Sequence, residues 1–186
     1  MPHNIRILCT SDNVPTIRRM FSSIRNQNSF GRVGTFAYGW LFPILSFVLP
    51  FRNAGMRLEL DPSSKEVDRF TSDWERIGVV YQKEKPPFFV EIHREGGAGQ
   101  NGYRETIERL KKSLKASRSK GRERALQRLA ATKFIVSFKI SEKSLTKEGH
   151  RALGYVAQFF VRRCDGMVQK DGEGLYENGE LIAALH

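Results

Sequence analysis

The sequence predicts an α+β fold: one domain over residues 1–186, with a mixed or mainly antiparallel sheet and three to four helices packed mostly on one face. Three observations predict it. Short runs alternate at the strand period, as in Phe88–His93 (FFVEIH) and Lys133–Ile140 (KFIVSFKI). Longer runs repeat at the helical period, as in Thr146–Cys164. Hairpin signals such as Asp171-Gly172 place consecutive strands antiparallel. The expected sheet has roughly five to seven strands, and strand–helix halves fall at 1–82 and 86–186.

Asn4–Thr10 (NIRILCT) reads as the first strand. Ser11, Asp12 and Asn13, followed by Pro15, are helix-start residues. Ile17, Met20, Phe21 and Ile24 then share one helical face, and Asn26–Gly34 reads as loop. Residues 44–49 and 56–60 look like a hairpin turned at Arg52–Gly55. Ser63 and Glu66 have capping-box spacing, which predicts a helix with Val67, Phe70, Trp74 and Ile77 on one face. Phe88–His93 is a strand, and Gly96–Gly102 a glycine-rich loop. A basic helix follows, with Ile107, Leu110, Leu114, Ala125 and Leu129 as its apolar stripe and Gly121 as a break. After the strand 133–140, the helix 146–164 turns Ala152, Leu153, Val156, Phe160 and Cys164 inward. Met167–Gln169 and Leu175–Tyr176 close the chain as short strands.

Composition bounds the function. Hydrophobic residues make up 40% of the chain and include thirteen Phe, enough for a real core and too many for a disordered segment. Two cysteines, Cys9 and Cys164, are too few for a secreted disulfide scaffold and lack zinc-ligand spacing, so a reducing cytoplasm is expected. Val33–Phe51 is uncharged and just long enough to meet or span hydrocarbon; two strands separated near Pro43 account for it equally well.

The net charge is +11, and residues 104–133 carry eleven Lys and Arg against three acids. Charge this concentrated points to a polyanionic partner, either an acidic protein or nucleic acid. The candidate contact residues are Lys111, Lys112, Lys115, Arg118, Lys120, Arg122 and Arg124. The segment has no aromatic residue beyond Tyr103, so base stacking is unsupported. The alternative for the same residues is a solvated face in which Glu105, Glu108 and Glu123 pair along the helix.

Gly97, Gly99 and Gly102 match GxGxxG between a strand and a helix, which raises a nucleotide- or phosphate-binding enzyme using loop 96–102. Glu91, His93 and Arg94 in the preceding strand, and the lack of an acid about twenty residues on, count against a dinucleotide site. His93, beside Glu91, is a candidate base only as a lone histidine, and Cys9 reads better as a small buried residue than as a nucleophile. The acids Asp165, Asp171, Glu173 and Glu177 do not fit a calcium loop. No cofactor or metal is expected.

The C-terminal third carries a resemblance. Lys133–Leu181 runs through a strand and a helix into Cys164-Asp165-Gly166-Met167-Val168, Asp171-Gly172-Glu173-Gly174-Leu175-Tyr176 and Gly179-Glu180-Leu181. It resembles bacterial α+β proteins of uncharacterised function, some found in toxin–immunity or secretion-linked contexts. The resemblance rests on turn and packing residues, so it implies an interaction protein and no catalytic residue. The expected function is therefore a non-catalytic cytoplasmic binding protein that contacts an acidic partner through residues 104–128, with nucleic-acid binding as the alternative.

Overall fold

A computed structural model of the chain describes residues 5–29, 58–64, 67–97, 99–140 and 145–185. The expected strand 44–49 and the apolar run 33–51 lie outside the described residues. Among the described residues, no helix is long and apolar enough to cross a membrane.

The architecture is α+β. Among the described residues, eight strands form one sheet: β1 (Ile5–Cys9), β2 (Glu59–Leu60), β3 (Arg76–Val80), β4 (Phe88–Arg94), β5 (Phe134–Lys139), β6 (Gly166–Lys170), β7 (Gly174–Glu177) and β8 (Glu180–Ala184). Their order is β2-β3-β4-β5-β1-β6-β7-β8, and every neighbouring pair is antiparallel. The four helices among the described residues are α1 (Ile17–Ser29), α2 (Gln100–Ala116), α3 (Arg122–Ala130) and α4 (Lys147–Arg163). Strand β1 lies between β5 and β6, so the first strand of the chain completes the sheet of its second half. Because β5 and β6 both run antiparallel to β1, they are parallel to each other, and α4 makes the crossover that such a pair requires.

The helices divide two and two between the faces instead of gathering mainly on one. Ile5, Ile7, Cys9, Val90, Ile92, Val136 and Phe138 face a core shared with Ile17, Met20 and Ile24 of α1 and Ala152, Val156 and Phe160 of α4. Leu8, Ile135, Met167, Leu175 and Ala183 face a second core with Ile107, Leu110 and Leu114 of α2 and Ala125 and Leu129 of α3. The physical reason is that β1 and β5 are apolar on both sides. Each buried large side chain contributes about 1.5–3 kcal/mol, so both faces must be covered.

Helical periodicity located three of the predicted helices well. Thr146 caps α4, its side chain accepting the Gly149 N–H at 3.3 Å. The stripes of α2, α3 and α4 are buried as expected, and Gly121 separates α2 from α3. Helix α1 starts at Ile17, after Thr16, whose hydroxyl accepts the Arg19 N–H at 3.2 Å, and it runs on to Ser29 through residues read as loop. No glycine or proline interrupts that stretch before Gly31.

The helix expected after Ser63 does not form among the described residues. A 3₁₀ turn spans Pro62–Ser64, and residues 67–75 are irregular. The Asp68 carboxylate accepts the Phe70 N–H at 2.9 Å, and the Thr71 hydroxyl accepts the Asp73 N–H at 3.0 Å. These local bonds offer the backbone an alternative to the helical ladder. Trp74 and Ile77 are still buried, but Phe70 is 67% exposed, beneath the Arg18 guanidinium. Trp74 donates its indole N–H to the Pro15 carbonyl at 2.9 Å, which satisfies its one polar atom inside the core. Strand β8 was not anticipated. Asn178 and Gly179, both at positive φ, make the tight turn that returns β7 into it.

Candidate partner-binding surface

The second helical layer places the basic residues. Helices α2 and α3 lie across the β1, β5, β6, β7 and β8 end of the sheet, joined by the elbow 117–121. The elbow is anchored to the outer edge of β8. Ser117 donates its hydroxyl to the Ala184 carbonyl at 3.1 Å, and the Ser119 hydroxyl accepts the Ala184 N–H at 3.0 Å. The two hydroxyls are 2.9 Å apart. Gly121 packs on the Ile182 carbonyl so closely that a Cβ there would press into its oxygen. Two side chains thus complete the hydrogen bonding of an edge strand at Ala184, where an exposed edge would invite pairing.

The basic residues separate into two sets. Arg124 pairs with Glu177 at 2.5 Å, and Arg128 pairs with Asp165 at 2.5 Å and Glu177 at 3.1 Å. Arg109 lies 3.8 Å from Asp171, and Lys111 lies 3.0 Å from Glu108. These cations are engaged by the chain itself, largely by acids of the C-terminal segment 165–177. The Arg128 hydrogen bond holds the Asp165 carboxyl below the usual carboxylate range, aided by the Thr10 hydroxyl. Asp171 is also held low: burial opposes its ionisation, but hydrogen bonds from Gln169 and Arg6 outweigh it. Glu173 pairs with Lys170. The acids Asp165, Asp171, Glu173 and Glu177 are therefore ion-pair partners, and no group of three metal-ligating side chains occurs among the described residues.

Lys112, Lys115, Arg118, Lys120 and Arg122 form the other set. None has an ion pair among the described residues, and all but the half-buried Arg122 are exposed. They run from the last turns of α2 through the elbow into the first residue of α3. Farther up α2, the exposed Glu105 and Glu108 interrupt the positive charge. Of the seven predicted contact residues, the structure thus gathers five at the elbow and pairs Lys111 and Arg124 internally.

The glycine loop packs against His93. Gly99 adopts φ 79° at the N-cap of α2, and a Cβ there would lie 2.9 Å from His93 Nδ1. A Cβ on Gly102 would lie 3.1 Å from the same atom. Both glycines therefore admit the imidazole between β4 and the start of α2, which is a packing reason for their spacing. Gly97 is close to the Arg94 side chain.

His93 Nε2 lies 2.7 Å from the Ser137 hydroxyl and 3.8 Å from Glu91. A Ser–His–acid triad needs its carboxylate at the ring nitrogen opposite the serine. Glu91 approaches the same nitrogen as Ser137 and also pairs with Lys139 at 3.0 Å and Arg76 at 3.5 Å, so the geometry is that of a polar cross-strand network. Phe89, on the same sheet face, lies under the Arg76 guanidinium at 4.2 Å and borders two open concavities of about 350 and 380 Å³.

Sequence reasoning missed the anchoring serines and the internal pairing of Arg109 and Arg128, because both depend on where β7 and β8 lie. No family model matches the chain, and neither a curated protein nor a solved structure matches it.

Proposed function

We propose that this chain is a non-catalytic binding protein that docks an acidic protein partner on the α2–α3 elbow. The observation that carries this reading is the set of five cations, Lys112, Lys115, Arg118, Lys120 and Arg122, which have no carboxylate partner among the described residues and lie on or beside a connection tethered to the sheet. A tethered loop loses little freedom on binding, so its charges meet a partner at low entropic cost. The small footprint favours a protein patch over a duplex. A duplex follows a long row of phosphates, and Glu105 and Glu108 would repel them along α2.

The test uses labelled polyglutamate, short duplex DNA and single-stranded RNA, each titrated with the full chain across a salt series. The comparison protein is the triple variant Lys112→Glu, Lys115→Glu, Arg118→Glu, whose three sites are exposed and should leave the fold intact. Polyglutamate binding that weakens about tenfold or more in the variant supports the reading. Equal affinity in both proteins overturns it. Tighter binding of either nucleic acid than of polyglutamate at about 0.15 M salt reassigns the elbow to nucleic acid.

A further inference from the structure

The chain has two cysteines, and the fold brings them together. Cys9 ends β1 and Cys164 caps the C-terminus of α4; they are 0% and 2% exposed. The backbone around them is clamped. The Thr10 and Ser11 N–H groups both donate to the Cys164 carbonyl, at 3.1 and 3.3 Å. Cys9 sits opposite Gly166 in the β1–β6 register, two residues beyond Cys164, and its own carbonyl accepts the Lys133 N–H at 2.8 Å. Both side chains lie in the same core, where the Cys9 thiol donates to the Ile7 carbonyl at 3.9 Å.

Their surroundings differ. Burial pushes the Cys9 thiol up. The neighbouring Cys9 side chain, with the nearby Arg19 charge, holds Cys164 below the usual thiol range. Of the two, Cys164 is thus the better nucleophile.

We infer that Cys9 and Cys164 form a redox modification site, at which a two-electron oxidant closes a disulfide within the chain. With hydrogen peroxide, the Cys164 thiolate attacks the O–O bond and takes one oxygen as a sulfenic acid. Hydroxide leaves and is protonated to water. Cys9 then loses its proton, and its sulfur displaces the sulfenic oxygen, which departs as a second water. The dithiol and one peroxide become one disulfide and two waters. The bond would tie the end of β1 to the end of α4, next to the Asp165–Arg128 pair that holds α3. In an oxidising compartment the chain would carry one internal crosslink; in a reducing one it would carry two thiols.

The test treats the full-length wild-type chain with hydrogen peroxide and counts thiols after denaturation. The expected result is a fall from two thiols to none, a mass loss of two hydrogens and a single crosslinked peptide pair joining Cys9 to Cys164. Closing so long a loop restricts the unfolded chain, so Tm should rise by about 5 °C or more and return on reduction. Cys9→Ala and Cys164→Ala should lose the crosslink and the reversible Tm rise. Two surviving thiols under peroxide that oxidises an exposed control thiol would overturn the inference. So would a crosslink between chains, or Cys164 overoxidised while Cys9 stays a thiol.

Discussion

His93 fills the space that Gly99 and Gly102 leave open, and burial is the main influence on its imidazole. Burial lowers its pKa below the ordinary 6.5, and the opposing pull of Glu91 does not reverse this. The folded chain therefore takes up this proton less readily than the unfolded chain. Stability from His93 is complete above about pH 6.5 and is lost as pH falls through the lower folded value. An NMR titration of the imidazole should show a midpoint below 6.5. A midpoint above it would mean that the Glu91 charge outweighs burial. The glycine motif was legible at this scale, but its partner was not. GxGxxG states where backbone can approach something closely; only the position of β4 makes that something a histidine.

Secondary-structure elements were legible where one period dominated. Helix α4 has a threonine cap and an apolar stripe, and both agree on its bounds. Residues 67–75 have helical apolar spacing too, yet Asp68 and Thr71 bind the backbone locally and prevent the helix. The elbow is the element with the strongest dependence on tertiary contact. Ser117 and Ser119 are ordinary loop residues until β8 lies beside them. Ser119→Ala would leave the Ala184 N–H without its acceptor, and such a loss costs about 1–3 kcal/mol. The expected outcome is a lower urea midpoint and faster hydrogen exchange at the Ala184 amide. Unchanged exchange there would show that the serine does not hold the edge.

Across the whole molecule, acids of the C-terminal segment bind cations from distant segments: Asp171 binds Arg6 and Arg109, and Glu177 binds Arg124 and Arg128. Asp171 has a folded pKa below its ordinary value, so its contribution is present above about pH 4 and disappears as pH falls through the folded value. Asp171→Asn should thus be less stable than wild type near neutrality, and the gap should close in acid. Denaturant unfolding measured from neutral to strongly acid pH checks this. A gap that stays constant would assign the loss to packing instead of charge. The same pairing decides which part of the +11 charge faces outward, and so where an acidic partner would dock.

The sequence by itself determined the fold class, the stripes of α2, α3 and α4, and the segment in which positive charge accumulates, because periodicity and composition are local properties. Only the tertiary structure decided which cations are spent on internal carboxylates, that helices cover both faces of the sheet, and that Cys9 meets Cys164. Those outcomes depend on strand order. With β1 placed between β5 and β6, residues from opposite ends of the chain become neighbours, and no local pattern encodes that adjacency.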